Sequence, residues 1–291
     1  MLRESLDLLA LAPGSAVADG TVGAGGFAEA ALERILPGGR LLAVDRDPGM
    51  IERARERLGR FGDATRFEVG NFSELPEHLR SAGMGPVDAI FLDFGFASDQ
   101  LDDPARGLSF SREGPLDMRL DPTGGRTALE WLETASEEDI VRALFEYGEE
   151  PHARRIARAI AEARARGRLP ATTTAFAGFV ARASGWGRGR RHPATRTFQA
   201  VRIAVNDELG SIERGLPAAL GSLAPGGRLA AISFHSLEDR IVKHVLREAA
   251  ARGAVELLTR KPVRPSFEEI ARNPRSRSAK LRAARATEAR S

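Results

Sequence analysis

The chain has 291 residues, with 43 Lys and Arg against 40 Asp and Glu, and it contains no cysteine. Disulfides and thiolate zinc sites are therefore excluded, and no apolar run approaches the ~20 residues of a membrane span. At 42% hydrophobic and 29% charged residues, the composition is globular and long enough for one large α/β domain or a domain plus an insertion. No signal-peptide pattern opens the chain, so cytoplasm is the expected location.

Ala16–Asp19 reads as a first strand. It runs into the glycine loop Gly20-Thr21-Val22-Gly23-Ala24-Gly25-Gly26, and a helical pattern, Phe27–Leu36, leaves it. A second strand, Leu41–Val44, ends in Asp45. Glycines let the backbone approach a bound cofactor because no Cβ stands in the way. A carboxylate after the second strand can accept both hydroxyls of an adenosine ribose. Gly23-x-Gly25-x-x-Ala28 with Asp45 downstream also fits the dinucleotide fingerprint. Asp19, placed to receive an amino-acid ammonium, and the late start of the glycines favour S-adenosylmethionine; NAD stays open on this segment.

Further strands at Thr65–Val69 and Val87–Leu92, with helical patterns at Pro48–Leu58 and Ser73–Ala82, imply a parallel sheet with right-handed crossovers. From Asp102 to about Arg191 no clear apolar strand occurs. Turn-rich segments lead into helical runs at Thr127–Leu132, Ser136–Glu146 and Pro151–Arg166, with Ser136-x-x-Asp139 as a capping start. Thr195–Leu220 then reads as one long helical stretch. A turn and fifth strand follow at Gly226–Ser233, then a helix at Ser236–Ala250 capped through Ser236-x-x-Asp239, and a last strand candidate at Val255–Thr259. The expected fold is α/β: a doubly wound sheet built from residues 1–103 and 192–291, interrupted by a helical insertion at 104–191. Ligands of such sheets bind at the carboxyl ends of the strands, near the switch in strand order. Asp19, Asp45, Phe72 and Asp93 all lie at or just past those ends.

The run Ile90-Phe-Leu-Asp93-Phe-Gly-Phe-Ala-Ser-Asp-Gln100 carries a second chemical signal. An exocyclic base amine is a poor nucleophile because its lone pair is delocalised into the ring. An acceptor aimed at its N–H groups localises that pair, and positioning and electrostatics then carry most of the catalysis. Asp93 is the candidate acceptor; a capping or cofactor-contacting role is the alternative. In the later helix, Thr195, Gln199 and Asn206 fall near one stripe, suited to a polar planar group, and Phe198 and Arg202 near another. His235 follows the fifth strand. No nucleophile elbow G-x-S-x-G occurs, and the five histidines show no metal-ligand spacing, so neither a hydrolase triad nor a metal site is expected. Arg188, Arg190, Arg191, His192, Arg196 and Arg202 cluster, and Arg272, Arg275, Arg277, Lys280, Arg282, Arg285 and Arg290 make a basic C-terminal tail. Such patches are the footprint of a polyanionic partner.

Taken together these blocks closely resemble the MraW family of bacterial 16S rRNA (cytosine-N4) methyltransferases. The resemblance rests on Asp19–Gly26, Ala43–Pro48, Leu101–Asp103, Gly114–Arg119, Tyr147–Glu150, His192–Gln199, Arg202–Asn206, Ile232–Arg240 and Asn273–Arg282, in the right order along nearly the whole chain. It implies a Rossmann-like methyltransferase sheet with an inserted helical domain for cytidine recognition. It also implies methyl transfer from S-adenosylmethionine to a cytidine of the small-subunit decoding region, and cofactor contacts at Gly25, Gly26, Phe27, Asp45, Phe72, Asp93 and Gln100. An NAD-dependent oxidoreductase and a non-catalytic rRNA-binding assembly factor are the competing readings. The chain departs from the family pattern at Phe27, where histidine is usual, and at Phe96-Ala97-Ser98-Asp99, where Val-Ser-Ser-Pro is usual. It also opens at Met1-Leu2, without the usual His-x-Pro-Val lead.

Overall fold

The computed structural model describes residues 1–185 and 192–288. It divides into two compact units, Met1–Gly95 with Leu209–Ser291, and Phe96–Glu208. The first unit opens with α1 (Leu2–Leu9) and alternates β1 (Ala16–Asp19), α2 (Gly26–Ile35), β2 (Arg40–Asp45), α3 (Pro48–Leu58), β3 (Thr65–Val69), α4 (Leu75–Ser81) and β4 (Val87–Asp93). The second unit holds α5 (Ser98–Asp102), α6 (Ala128–Thr134), α7 (Glu137–Glu146), α8 (Ala153–Ala165), α9 (Thr173–Ser184) and α10 (Ala194–Asn206). The first unit resumes with α11 (Glu208–Gly221), β5 (Leu223–Ser233), α12 (Ser236–Ala251), β6 (Val255–Leu257), α13 (Phe267–Arg272) and β7 (Lys280–Ala286).

The seven strands form one sheet in the order β3-β2-β1-β4-β5-β7-β6. Neighbours from β3 to β5 pair in parallel, and β7 runs antiparallel between β5 and β6. Along the central strands successive side chains feed opposite cores. Val17, Leu41, Ala43, Ala89 and Phe91 face one layer, with α2 and α3, while Ala18, Leu42, Val44, Ile90 and Leu92 face the other, with α4, α11 and α12. Period-two side chains that are apolar on both faces mark a sheet covered on both sides. The chain moves outward from β1 to β2 and β3, then returns to pair β4 with β1 on the opposite side. The switch in strand order therefore falls between β1 and β4.

Several elements differ from the sequence expectation. The long helix Thr195–Leu220 is two helices, because Asp207 takes a left-handed conformation (φ 47°, ψ 45°) and ends α10. The helical unit runs from Phe96 to Glu208, wider than 104–191, because α10 packs on α6, α7 and α9 through Phe198, Ala200 and Val201. Ser136 caps α7 as its pattern suggests, accepting the Asp139 N–H, but α12 is capped by His235 and Glu238, one residue before Ser236 and Asp239. Helix α9, unread in the sequence, buries Phe176 and Val180.

The basic tail is the largest correction. Lys280, Arg282 and Arg285 belong to β7, where Arg282 is buried, Lys280 half-buried and Arg285 exposed. Asp239 on α12 receives Arg282 Nε at 2.7 Å and Lys280 Nζ at 3.1 Å, and Arg285 pairs with Glu256. Burial works against ionisation of Asp239, yet the two cations hold its carboxyl below the ordinary range. Asp239→Ala is expected to destabilise the fold by about 3 kcal/mol, because the buried Arg282 loses its counter-charge; urea unfolding with and without the substitution measures this.

Candidate active site

Strands β1, β2 and β4 each end in an acid, so parallel pairing brings Asp19, Asp45 and Asp93 to one edge of the sheet. The loop after β1 is tied to its neighbours by backbone: Gly20 N–H donates to Phe91 O, and Val22 N–H to Val44 O. Gly23 N–H donates to Asp45 Oδ2 at 2.9 Å, and Asp47 N–H donates to Asp45 Oδ1 at 2.9 Å. Each Asp45 oxygen keeps a second lone pair for a ligand hydroxyl. The side chain of Thr21, which sequence reading passed over, clamps the other side: its Oγ1 accepts the Asp93 N–H at 2.7 Å.

Asp19 Oδ1 accepts the Thr21 N–H at 3.1 Å. Asp19 Oδ2 and Asp93 Oδ1 are sealed from solvent and have no hydrogen-bond partner among the described residues. A buried acceptor left unmatched is costly, so such atoms mark a place built for a ligand donor. All three acids are held above the ordinary carboxylate range. For Asp19 the cause is burial, with the charges of Asp45 and Asp93 adding to it. Burial likewise raises Asp45, opposed by the N–H groups of Asp47 and Gly23. Burial raises Asp93 to about 7, opposed by the Met1 ammonium and reinforced by Glu238. A cluster of reluctant anions favours a cationic ligand and repels a pyrophosphate.

Aromatic residues frame the acids. Phe72, just past β3, lies 5.4 Å from Phe94 ring to ring. It fits only because glycines flank it. A Cβ on Gly215 of α11 would clash with the Phe72 ring, and one on Gly20 would meet Leu92 Cδ2 at 2.6 Å and Phe72 Cβ at 3.0 Å. Gly20→Ala is therefore expected to cost ~1–3 kcal/mol through overpacking, read as a lowered midpoint in chemical denaturation. Phe27 instead faces the core, stacked on Phe91 with centroids 3.8 Å apart, so only its backbone is available at the loop. As second residue of α2, its N–H has no partner within the helix, and the same holds for Gly26. Gly25 is the N-cap of that helix.

His235 caps α12: its Nδ1 accepts the Glu238 N–H at 3.4 Å, and its Nε2 lies 3.0 Å from Glu238 Oε1. Glu238, also missed from the sequence, is buried and accepts the Phe234 and His235 N–H groups. An acid three residues after a cap is a readable signal; it was obscured by the overlapping Ser236-x-x-Asp239.

The remaining candidates lie in the helical unit. Gln100 is buried there, its Oε1 accepting the Ala97 N–H at 2.8 Å. Gln199 donates to Tyr147 O, and Asn206 joins Leu120 N–H to Met118 O, holding a loop whose Met118 has φ 63°. Arg202 makes a two-pronged pair with Glu208 at 2.7 and 2.8 Å and lies over the Phe96 ring. These three side chains thus hold the unit together. His192 is half-buried, its ring 4.8 Å from that of Phe110, and Arg196 is exposed. Arg188, Arg190 and Arg191, with Arg290 of the tail, lie outside the described residues.

A family model described as the MraW methylase family matches residues 1–287. The chain belongs to the MraW methylase family. Its MraW relatives include the protein named Ribosomal RNA small subunit methyltransferase H of Thermomicrobium roseum, 48% identical over 299 residues, covering 98% of this chain and 91% of that protein. The protein of the same name from Sorangium cellulosum is 50% identical over 284 residues, covering 97% and 88%. Among solved structures, a putative rRNA-methylase from Clostridium thermocellum aligns over 98% of this MraW chain and 96% of its own at 11% identity, with a TM-score of 0.48.

Proposed function

We propose that this MraW-family chain transfers the methyl group of S-adenosylmethionine to the N4 amine of a cytidine in the decoding region of small-subunit ribosomal RNA. The observation that carries this reading is the pair of sealed, partnerless carboxylate oxygens, on Asp19 and Asp93, at the two strands flanking the topological switch. The relatives named for methylation of small-subunit ribosomal RNA support the substrate. The residues suit the cofactor: three acids for a ligand that brings an ammonium and a sulfonium, and one of them, Asp45, with lone pairs spare for a ribose.

S-adenosylmethionine, when bound, supplies an electrophilic methyl on a good leaving group. Asp19 Oδ2 accepts the amino-acid ammonium. Asp45 accepts the ribose hydroxyls, and Phe72 flanks the adenine. Asp93 Oδ1 accepts one N–H of the cytosine amine, which localises the nitrogen lone pair and turns it toward the methyl carbon. With a pKa near neutrality, the same carboxylate is suited to take the proton that the amine must shed once the new bond has formed. The target base must leave its stack to be reached, as for other base-modifying enzymes. The helical unit, with exposed Arg196, is assigned to RNA recognition. A dinucleotide oxidoreductase is disfavoured, because its pyrophosphate would meet the Asp19 carboxylate. Tritium transfer from labelled S-adenosylmethionine into small-subunit rRNA, with mass mapping of the product nucleotide, tests the reading. Absence of label from competent subunits would overturn it.

A further inference from the structure

Between β6 and β7 the chain makes an excursion, residues 258–279, that the chemistry above does not use. It carries Arg260, Lys261, Arg264, Arg272, Arg275 and Arg277 against only Glu268 and Glu269. All six cations are exposed. Arg264, Arg272 and Arg277 meet no carboxylate among the described residues, whereas Glu269 is engaged by the Met1 ammonium at 2.8 Å. In the same segment Phe267 is 92% exposed, while the Ser266 hydroxyl accepts the Glu269 N–H and fixes the start of α13 beneath it.

Register places this excursion. Because β7 is antiparallel to β5, its first residue, Lys280, lies opposite Ser233, the last residue of β5. The excursion therefore closes at the carboxyl edge of the parallel strands, the edge on which Asp19, Asp45 and Asp93 end. Two backbone hydrogen bonds between Val263 and Leu281, each 2.9 Å, anchor it there. An aromatic ring 92% exposed to water, in a segment that carries six exposed cations, matches a base and its phosphates better than an apolar protein face.

We propose that the 258–279 excursion docks single-stranded RNA, with Phe267 as a stacking platform for a base near the target nucleotide and Arg264, Arg272 and Arg277 as phosphate contacts. The proposal rests on the rRNA reading and adds the surface that holds the strand. Its test is fluorescence anisotropy of a labelled single-stranded RNA oligonucleotide of mixed sequence with the full chain, across a salt series. Phe267→Ala is expected to weaken binding roughly tenfold, and Phe267→Trp to restore it. The triple variant Arg264→Ala, Arg272→Ala, Arg277→Ala is expected to flatten the slope of log Kd against log salt by about 2. S-adenosylhomocysteine binding by calorimetry is expected to stay at the parent value in every variant, which separates lost docking from lost folding. No RNA binding by the parent chain, or equal affinity and salt slope in parent and variants, would overturn the proposal and leave the excursion to another occupant, such as a ribosomal protein. A parent that shows the expected binding pattern but methylates no rRNA would sustain the dock and count against the activity reading alone.

Discussion

Asp45→Ala is expected to weaken S-adenosylhomocysteine binding roughly a hundredfold, since two hydrogen bonds to a charged acceptor contribute about 1.5–3 kcal/mol each and some of that is recovered by water. The residue does two jobs. Its oxygens already accept Gly23 N–H and Asp47 N–H, so the substitution also releases the loop from the end of β2. Asp45→Asn keeps one acceptor oxygen and is expected to fall between parent and alanine. Calorimetry reads the affinity, and a melting curve of the unliganded protein shows how much of the loss is loop release. An alanine variant that binds the thioether as tightly as the parent would remove Asp45 from the ribose. An alanine variant that still binds rRNA but methylates nothing would favour an enzyme over a non-catalytic assembly factor.

Asp93→Asn is expected to lower kcat by about two to three orders of magnitude, the range seen when one aligned electrostatic contact to a reacting group is removed. The pH behaviour distinguishes this from simple damage. With the folded carboxyl titrating at about 7, methyl transfer is expected to rise between pH 6 and 8 as the acceptor ionises, and the asparagine variant is expected to lose that rise. Stability should move the other way. The folded value lies above the ordinary 3.8, so the fold favours the protonated form and loses stability as pH rises through 7. The asparagine variant is then expected to be more stable than the parent at pH 8, with the difference shrinking as the solution is taken toward pH 4. Urea titrations at the two ends measure it, and a variant less stable than its parent at pH 8 would contradict a strained carboxylate at this position.

Much of this edge was legible in the chain. The three acids stand where alternating apolar strands stop, and a parallel sheet gathers strand ends regardless of side-chain detail, so Asp19, Asp45 and Asp93 could be grouped without coordinates. The break at Asp207 was not legible, because helical spacing continues through it and a single left-handed residue leaves no periodic trace. Strand β7 was hidden by its own charges. Lys280, Arg282 and Arg285 read as part of a basic tail for a polyanionic partner until Asp239 and Glu256 are seen to receive them. The roles of Gln199, Arg202 and Asn206 were equally opaque: a polar stripe on a helix reads the same whether it faces a ligand or holds its own loops, and the carbonyls and N–H groups they meet lie 50 to 90 positions away in the chain for Gln199 and Asn206.

The insertion of β7 between β5 and β6 has a consequence for biogenesis. Both neighbours are synthesised before the strand that joins them, and β6 pairs with β7 alone in the sheet. A nascent chain that has emerged only as far as α13 carries an open border on β5 and an orphan β6, the kind of surface that recruits foreign strands. Closure of this seam waits for Lys280–Ala286 to leave the exit tunnel, so premature termination upstream of that segment is predicted to yield insoluble polypeptide even though every acid of the pocket has already been translated.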